Sequence, residues 1–444
     1  MTGASFSSRA GFLLASIGFA VGLGNIWRFP YVTGENGGSA FVLVYLACVF
    51  LIGVPILMAE IVVGRRGRGT PPLSLALLSA SAQKSQAWSA LGYLNLATAF
   101  LIVMAYTIVA GWVIYYLFQA MTGGFNDMDA HASFALFRSL TADTPTMMGW
   151  ATLALLIAGG IVAAGVTAGI ERAVIVLMPL LFALLAVLAL YNVVAGGMDA
   201  ALTYLFTPDF SKLAPSVFLA AVAQAFFSIG VAMAGMMMFG AYLPEHVSIA
   251  GSALVIVIAD TLVALVAGLV IFPMVFNHGL DPAGGTGLIF QTLPVAFAQM
   301  PGGFIVASLF FLLLSVAAIT SLVGLIEPLI AWIAERSRMR RLKATVLLVV
   351  VMLAFTLISA LSYNTWSKVS VAGSSLSTVI DFIPNQVMLP LGGLGIALFV
   401  GWVMNKKDVQ AELKLSRGQF RLWYQLLRFA VVPAVFLIFL SGLL

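Results

Sequence analysis

The stretch AVGLGNIWRFPYVTGENGG, residues 20–38, lies in an apolar run but is not typical of an uninterrupted membrane helix. Its glycines surround Asn25, and Arg28 follows one turn later. Each Gly lowers helix stability by up to about 1 kcal/mol relative to Ala, and a break inside hydrocarbon frees backbone groups that need polar partners. A packing seam of small residues would explain the glycines but neither Asn25 nor Arg28. We therefore expect this helix to break around a polar ligand.

The rest of the chain has the composition of a membrane protein. Of its 444 residues, 62% are hydrophobic and 8% charged, whereas about 25% are charged in soluble domains. Apolar runs long enough to cross a bilayer core of about 30 Å lie near 9–33, 38–64, 88–121, 147–164, 170–192, 217–241, 251–276, 303–334, 342–363, 376–404 and 420–443. We predict eleven transmembrane helices, with the Gly- and Pro-broken segment 279–300 as a re-entrant or extracellular loop.

Basic residues predict the orientation. With the N-terminus in the cytoplasm, 17 of the 21 Lys and Arg residues fall on the cytoplasmic side, as the positive-inside rule requires. The C-terminus is then outside, and the protein is expected in the inner (plasma) membrane. The net charge of +5 describes cytoplasmic loops, so we expect no nucleic-acid partner. One cysteine, Cys48, excludes an intrachain disulfide and a thiolate metal cluster.

A second break is predicted five spans after the first. The segment FLAAVAQAFFSIGVAMAGMMMFG, residues 218–240, places Gln224, Ser228 and Gly230 in mid-membrane. Two broken helices five spans apart predict inverted repeats, with substrate and ions held at the breaks. The predicted units are residues 1–192, residues 193–405 with the extracellular loop 277–301, and a connection with the last span at 406–444.

Other polar residues in the predicted spans are candidate functional groups. Alternatives remain open for several of them: Thr320 and Ser321 can bond back to their own helix, and Asp260 can form a buried structural pair. The candidates are Glu60, Asp260, Thr320, Ser321, Glu327 and, at the outer edge of its span, Asp381.

With these motifs, the chain resembles a bacterial member of the neurotransmitter:sodium symporter family over nearly its whole length. The segment 20–38 is the most specific match. Supporting matches are Glu60 with Gly64 and Arg65, Tyr106, Gly111 with Trp112, Gln224 with Phe226, Phe227 and Ser228, and Ala317 with Thr320 and Ser321. The resemblance implies an all-α fold with a 5+5 inverted repeat, broken helices 1 and 6, and one extra C-terminal helix.

The same resemblance implies two sodium sites built from oxygen ligands, which suit a hard cation. The first site would use the Ala20 carbonyl, Asn25, Ser228, Asp260 and the carboxylate of the substrate. The ligands implied for the second site are the carbonyls of Gly18, Val21 and Ala317 and the hydroxyls of Thr320 and Ser321.

The resemblance also implies a site for an amino acid. Its carboxylate would meet the N–H groups of Leu23 and Gly24 at a helix N-terminus and the Tyr106 hydroxyl. Monoamine-carrying relatives have an acid where this chain has Gly22, so an amino acid fits better than an amine. The amine would face carbonyls of Ala20, Phe227 and Ser228, while Gly230 replaces a hydroxyl found in some members. The apolar side chain would lie against Ile102, Phe227, Met233, Leu322 and Leu325, with Gly324 removing bulk, although each apolar residue alone fits ordinary helix packing.

Gates are implied on both sides. Arg28 and Asp381 would close the outside, and Gly169 and Pro179 match a helix-unwinding motif on the inside, although an ordinary kink remains an alternative. The inner-gate Arg and Trp of the family are replaced by Gly3 and Phe6. Glu335 stands at the acidic partner position, so inner closure is expected to use Arg9, another basic residue or packing.

The predicted function is sodium-coupled symport of a large aliphatic or aromatic L-amino acid. Chloride-dependent relatives carry Asn and Ser where this chain has Asp260 and Ala264, which implies chloride-independent transport. A channel gated by amino acids, or a sensor that binds without transport, is the alternative. We do not expect an enzyme, because the spans contain no His or Cys–His arrangement.

Overall fold

The computed structural model describes residues 5–283, 285–371 and 373–443. The described part is almost entirely helical, as the composition predicts. Including their 3₁₀ and π-helical turns, the helices are α1 Arg9–Ala20, α2 Gly24–Glu35, α3 Ser39–Gly67, α4 Pro71–Ser81, α5 Gln86–Met121, α6 Ala130–Ala142, α7 Thr144–Ala163, α8 Val166–Ala195, α9 Met198–Phe206, α10 Pro215–Ile229, α11 Gly235–Ala241, α12 Ile249–Asn277, α13 Leu288–Gln299, α14 Gly303–Ser337, α15 Arg341–Ser362, α16 Leu376–Val403, α17 Lys406–Leu413 and α18 Arg417–Ser441. Strands β1 Ser370–Val371 and β2 Ser374–Ser375 form a short antiparallel hairpin that the sequence analysis did not predict.

Within the described residues, nine helices are long and apolar enough to cross a membrane, and the bent pair α1–α2 makes a tenth span. The pair α10–α11 is split into pieces of 15 and 7 residues, so neither piece meets the length of a span alone. It lies where the sixth span is predicted. The fold class is therefore confirmed, whereas the count of eleven and the inverted repeat stay predictions.

Side-chain caps fix the starts of several helices. The Ser8 hydroxyl accepts the Gly11 N–H at the start of α1, and Ser248 does the same for Gly251 at the start of α12. Ser416 and Gln419 form a reciprocal capping box at the start of α18. These bonds satisfy N–H groups that a helix leaves without partners in its first turn.

The segment 279–300, predicted as a folded loop, contains the short apolar helix α13. Its aromatic residue Phe290 is 1% exposed and packs on Trp112 and Tyr116 of α5. Tyr116 donates a hydrogen bond of 2.9 Å to the Phe290 carbonyl. The loop is thus anchored on the C-terminal part of α5.

The centre of the bundle is formed by α1, α5, α12 and α14. Helix α14 packs against α1 and α5, and α1 also packs against α12. Most residues of α14 from Leu313 to Ala331 are buried. The two helix breaks are therefore surrounded by protein, which is where irregular backbone at membrane depth is tolerated.

Candidate functional site

The first break lies between α1 and α2, which meet at an angle of 46°. Among the described residues, the carbonyls of Gly18 and Ala20 receive no hydrogen bond. On the other side of the break, Gln224 of α10 donates to the Gly24 carbonyl at 2.8 Å. The break therefore presents unpaired carbonyls at the end of α1 and is tied to α10.

The second break lies between α10 and α11, at residues 230–234. Gly230, Ala232 and Ala234 have φ of 73°, 64° and 63°, a left-handed conformation that is uncommon for alanine. The fully buried Glu60 of α3 accepts the Ala232 N–H at 2.6 Å. This bond satisfies a backbone N–H group freed by the break. It also gives a structural reason for the carboxylate of Glu60 inside a predicted span.

The residues predicted for the first sodium site lie together. Asn25, Ser228 and Asp260 are all fully buried. The Asn25 amide Nδ2 donates to Asp260 Oδ1 at 2.8 Å and to Ser228 Oγ at 3.0 Å, and Ser228 Oγ donates to Asp260 Oδ2 at 2.6 Å. The Tyr45 hydroxyl, which sequence reasoning missed, lies 3.3 Å from Ser228 Oγ. The cluster holds one buried carboxylate among neutral oxygen groups.

The residues predicted for the second sodium site lie around the end of α1. A Cβ placed on Gly18 would be 3.3 Å from Thr320 Cβ, so α1 and α14 approach closely here. The Ser321 hydroxyl donates to the Phe19 carbonyl at 3.2 Å. Thr320 donates to the Val316 and Ala317 carbonyls, each at 3.1 Å, which is the back-bonding alternative considered above. Val21, whose N–H bonds to Ile17 at 2.6 Å, completes the first break.

The groups predicted to hold a carboxylate are also adjacent. The Leu23 N–H donates to the Tyr106 hydroxyl at 3.4 Å, at the N-terminal end of α2. A Cβ placed on Gly22 would overlap the Ser321 hydroxyl and lie 3.1 Å from the Tyr106 hydroxyl. A Cβ placed on Gly24 would be 3.0 Å from the Phe227 ring. Because neither residue has a side chain, the backbone at Gly22 approaches the Ser321 and Tyr106 hydroxyls, and the backbone at Gly24 approaches the Phe227 ring.

A small cavity lies between the two breaks. Most predicted substrate residues line it, but Leu23, Ser228 and Leu322 do not. The ring of Phe19 also lines it, and no pattern in the sequence separates this residue from neighbouring core aromatics. The lining residues are Phe19, Ala20, Gly22, Gly24, Ile102, Tyr106, Phe227, Gly230, Met233, Ser321 and Leu325.

Gly324 makes room for Phe19 rather than directly for a ligand, which corrects the sequence interpretation. A Cβ on Gly324 would overlap the Phe19 ring, and a Cβ on Gly235 or Gly230 would lie 2.5 Å or 3.0 Å from it. The ring also packs edge-on against Phe239 at 6.0 Å. Phe19 is thus a fixed wall of the cavity.

A vestibule leads from this cavity toward the predicted outer side, and Ile102, Tyr106 and Phe227 line both spaces. Arg28 and Asp381 line the vestibule, but among the described residues no ion pair within 4.0 Å joins them. The Arg28 guanidinium lies 4.6 Å from the centroid of the Phe227 ring. Asn385 donates to the Asp381 carboxylate at 2.8 Å.

The contacts on the predicted inner side include a hydrogen bond and aromatic packing. Glu335 accepts a hydrogen bond from Thr70 at 2.6 Å, and in the described chain Arg9 joins no ion pair. Phe6 is buried against Phe12 and Phe239, each at 5.7 Å. Inner closure therefore includes packing, and Gly3 lies outside the described residues.

Glu171 of α8 forms a further inner contact that the sequence analysis missed. Its carboxylate accepts the Ser7 N–H at 2.8 Å, the Ser7 hydroxyl at 2.6 Å and the Ser8 hydroxyl at 2.9 Å. A Cβ on Gly11 would overlap this side chain. The Glu171 contact ties the residues before α1 to the start of α8.

The proposed unwinding motif lies in the same helix. Gly169 belongs to a π-helical turn at Val166–Glu171, preceded by Gly165 with φ of 99°. Pro179 lies inside the helix that continues from this turn to Ala195. The irregular backbone is therefore at the Gly169 end of the motif.

Comparison with known proteins gives matches over nearly the whole chain. The model of the sodium:neurotransmitter symporter family matches residues 4–135 and 137–443. An uncharacterized sodium-dependent transporter of Bacillus subtilis is 33% identical over 98% of this chain and 97% of its own length. Another, from Haemophilus influenzae, is 32% identical over 99% and 98%. The crystal structure of MhsT in complex with L-phenylalanine has a TM-score of 0.91 and 40% identity, covering 99% of this chain and all of that one.

Proposed function

Because the chain belongs to the sodium:neurotransmitter symporter family, we propose that it carries an apolar L-amino acid into the cell together with two sodium ions. Its fold is that of a multi-pass membrane transporter, not of an enzyme. The observation that carries the proposal is the small cavity between two helix breaks, with polar groups and an apolar wall in its lining. One of its neighbours is the buried cluster of Asn25, Ser228 and Asp260.

The cavity supports an amino acid because it is polar at one end and apolar at the other. The Leu23 N–H and the Tyr106 hydroxyl, 3.4 Å apart, are donors for a carboxylate near a helix N-terminus. Ile102, Met233 and Leu325 supply the apolar wall, and Met adapts to irregular shapes. A large aliphatic or aromatic side chain fits this wall, and the similar MhsT was crystallised with L-phenylalanine.

The first sodium ion is proposed at the Asp260 cluster. A half-turn of the Asn25 amide exchanges Nδ2 for Oδ1 without a change of shape, which presents an oxygen beside Ser228 and Asp260. The Ala20 carbonyl and the substrate carboxylate complete the proposed ligand set. This ion therefore couples sodium binding to substrate binding.

The second ion is proposed between α1 and α14. The carbonyls of Gly18, Val21 and Ala317 and the hydroxyls of Thr320 and Ser321 would hold it. A sodium ion bridging the two helices competes with the back-bonds of Thr320, because its hydroxyl oxygen has spare lone pairs for the ion. We propose that both ions together lock the broken helix before it moves.

Two ions per cycle provide a large driving force. Two charges crossing about 100 mV release roughly 4.6 kcal/mol, and a tenfold sodium gradient adds about 1.4 kcal/mol for each ion. The total of about 7.4 kcal/mol limits the substrate gradient to roughly 10⁵-fold.

Transport is proposed to alternate access through two halves, residues 1–192 and 193–405, related as inverted repeats around the breaks. The outer gate would close when Arg28 and Asp381 approach each other. The inner gate would open when the contacts of Glu335, the residues before α1 and the Gly169–Pro179 segment separate. The N-terminus is proposed in the cytoplasm, and the C-terminus outside.

The proposal is tested by uptake into vesicles that contain the purified chain. We expect saturable accumulation of leucine or phenylalanine with external sodium and none when potassium replaces it. Binding without accumulation would instead identify a sensor, and a sodium leak without saturable uptake would identify a channel. Competition by all twenty amino acids and by monoamines then defines the substrate, and stronger competition by monoamines than by Leu, Phe, Tyr or Trp would refute the cavity assignment.

We also predict chloride-independent transport. The fixed charge of Asp260 offsets excess cationic charge where bare charge is costly, and Ala264 offers no hydroxyl for chloride. Uptake by the wild type should persist when gluconate replaces chloride, whereas Asp260→Asn should need chloride for any remaining uptake. Asp199→Asn, which removes an exposed carboxylate instead, is the control. Loss of wild-type uptake in gluconate would contradict this role.

A further inference from the structure

A basic pocket lies where α17 and α18 meet at the end of the bundle. Arg65 of α3 and Glu412 of α17 form an ion pair at the same end. Charged and aromatic side chains make up most of its lining, namely Lys406, Arg417, Phe420, Arg421, Tyr424, Arg428 and Phe429. The transport mechanism uses none of them.

The charge of the basic pocket is uncompensated. Within the described residues, its lining has four cationic side chains and no carboxylate. The nearest acids along α17 are engaged elsewhere, since Asp408 pairs with Arg66 at 3.0 Å and Glu412 pairs with Arg65. Four converging cations repel one another unless an anion lies between them.

Two of the four cations, Lys406 and Arg428, are held in place by aromatic rings. The spacing of Arg417, Arg421 and Arg428 places them on one side of α18. Tyr424 donates to the Gly401 carbonyl at 2.6 Å, and its fixed ring lies 5.4 Å from the Arg428 guanidinium and 5.3 Å from the Lys406 ammonium.

Arg428 is the most constrained of these groups. Its guanidinium also lies 4.4 Å from the Trp402 ring centroid. A Cβ on Gly401 would be 3.1 Å from Arg428 Cγ, so the glycine leaves space for the arginine stem. The Arg428 Nε–H is buried and has no partner among the described residues. The guanidinium is therefore oriented by aromatic rings, and its Nε–H donor is left without a partner among the described residues.

Exposed apolar side chains beside the cations favour a lipid as the source of the anion. Trp402, Leu422 and Phe429 are 42%, 61% and 67% exposed beside the cations. Trp is enriched where a membrane meets water, and α16 ends at Val403, next to Trp402. Guanidinium groups bind phosphate strongly, and basic pockets between membrane helices bind lipid head groups.

We propose that the basic pocket binds the phosphate of an anionic phospholipid, with its acyl chains along Phe429 and Leu422. The lipid would link α17 to α18 and so hold the last helix against the bundle. This site is separate from the cavity at the helix breaks. Its test therefore needs no transport measurement and is independent of the proposed substrate.

The test is lipid retention by the purified full-length chain in detergent with equal phosphatidylglycerol and phosphatidylcholine, measured by native mass spectrometry. The wild type should retain phosphatidylglycerol preferentially. Each cation at an anionic surface contributes about fivefold, so Arg421→Gln with Arg428→Gln should lower retention roughly thirtyfold. The control pair, Lys84→Gln with Lys343→Gln, removes two basic charges at the same end outside the pocket and should retain lipid like the wild type.

Three results would overturn the proposal. They are equal retention of both lipids by the wild type, equal loss in the pocket and control variants, and stabilisation of lipid-free protein by inorganic phosphate to the same unfolding temperature as by phosphatidylglycerol. The last result would identify a site for soluble anions. Lys406→Gln provides a second test if the double variant fails to fold, and unchanged lipid preference in it would count against the pocket.

Discussion

Gly22 lies where an added carboxylate is expected to change the substrate preference from amino acids to amines. A Cβ at this position meets the hydroxyls of Ser321 and Tyr106, next to the proposed carboxylate site. We expect Gly22→Asp to abolish leucine and phenylalanine uptake, because its charge faces that of the substrate. Gly22→Asn has the same size without the charge and should retain more binding in competition assays. Equal loss in both variants would attribute the effect to crowding alone.

Thr320 and Ser321 provide the test of the second sodium ion. The double variant Thr320→Ala with Ser321→Ala removes two proposed ligands and should raise the sodium concentration for half-maximal uptake about tenfold or more. Ser315→Ala is the matched control, because Ser315 is another buried hydroxyl of α14 that bonds back to its helix, at 2.7 Å from Phe311 O. An unchanged sodium requirement in the double variant would contradict the second sodium site. Thr320 would then serve only to bond back to its own helix.

At the residue scale, the sequence predicted polar site residues better than apolar ones. Asn25 and Asp260 stand out because polar groups within membrane spans are energetically costly and usually functional. The structure brings these two residues together. Phe19 and Leu322 could not be separated in the same way. Both lie in apolar helices, and the close approach of three glycines brings the Phe19 ring to the cavity, whereas the buried Leu322 does not line it.

At the scale of elements, the predicted spans agree with the helices to within a few residues, because long apolar runs specify membrane helices directly. The predicted run 251–276, for example, is the helix Ile249–Asn277. The hairpin at Ser370–Ser375 and the helix α6 were not predicted, since short connecting elements leave no such signal. The inner closure was also incompletely predicted, because Glu171 meets Ser7 only after folding.

The Glu171 contact is expected to hold α1 and α8 together on the inner side. Gln at this position cannot accept three hydrogen bonds in the same way, and losing bonds to a charged group costs about 1.5–3 kcal/mol. We expect Glu171→Gln to speed amide hydrogen exchange in residues 5–12 roughly tenfold or more. Glu245→Gln, which changes an exposed carboxylate paired with Arg68, should leave this exchange unaltered. Unchanged exchange in Glu171→Gln would mean that packing of Phe6 suffices.

For the whole molecule, we predict that the vestibule closes when substrate and sodium bind. This vestibule lies on the side opposite the Glu171 contact. Arg28 and Asp381 face the same space without an ion pair, so binding of substrate and sodium should bring them together. A chain with Cys48→Ser and Ile380→Cys carries one thiol in the vestibule lining. Labelling of this thiol should slow when sodium and leucine are added together.

A thiol introduced by His131→Cys, in the exposed part of α6, is the control for this measurement. Its labelling should be indifferent to both ligands. If sodium and leucine leave the Ile380→Cys rate unchanged, or slow both positions equally, the vestibule does not close as an outer gate.

The enclosure of Phe19 has a consequence for how such a carrier diversifies over evolutionary time. Glycines from α11, α14 and the second break all abut one ring, so a first mutation at Gly235 or Gly324 introduces a collision and is strongly selected against. A smaller residue at Phe19 needs no accompanying change and enlarges the space for cargo. Lineages that shift to bulkier substrates should therefore pass through Phe19 first, with the glycines free to vary only afterwards.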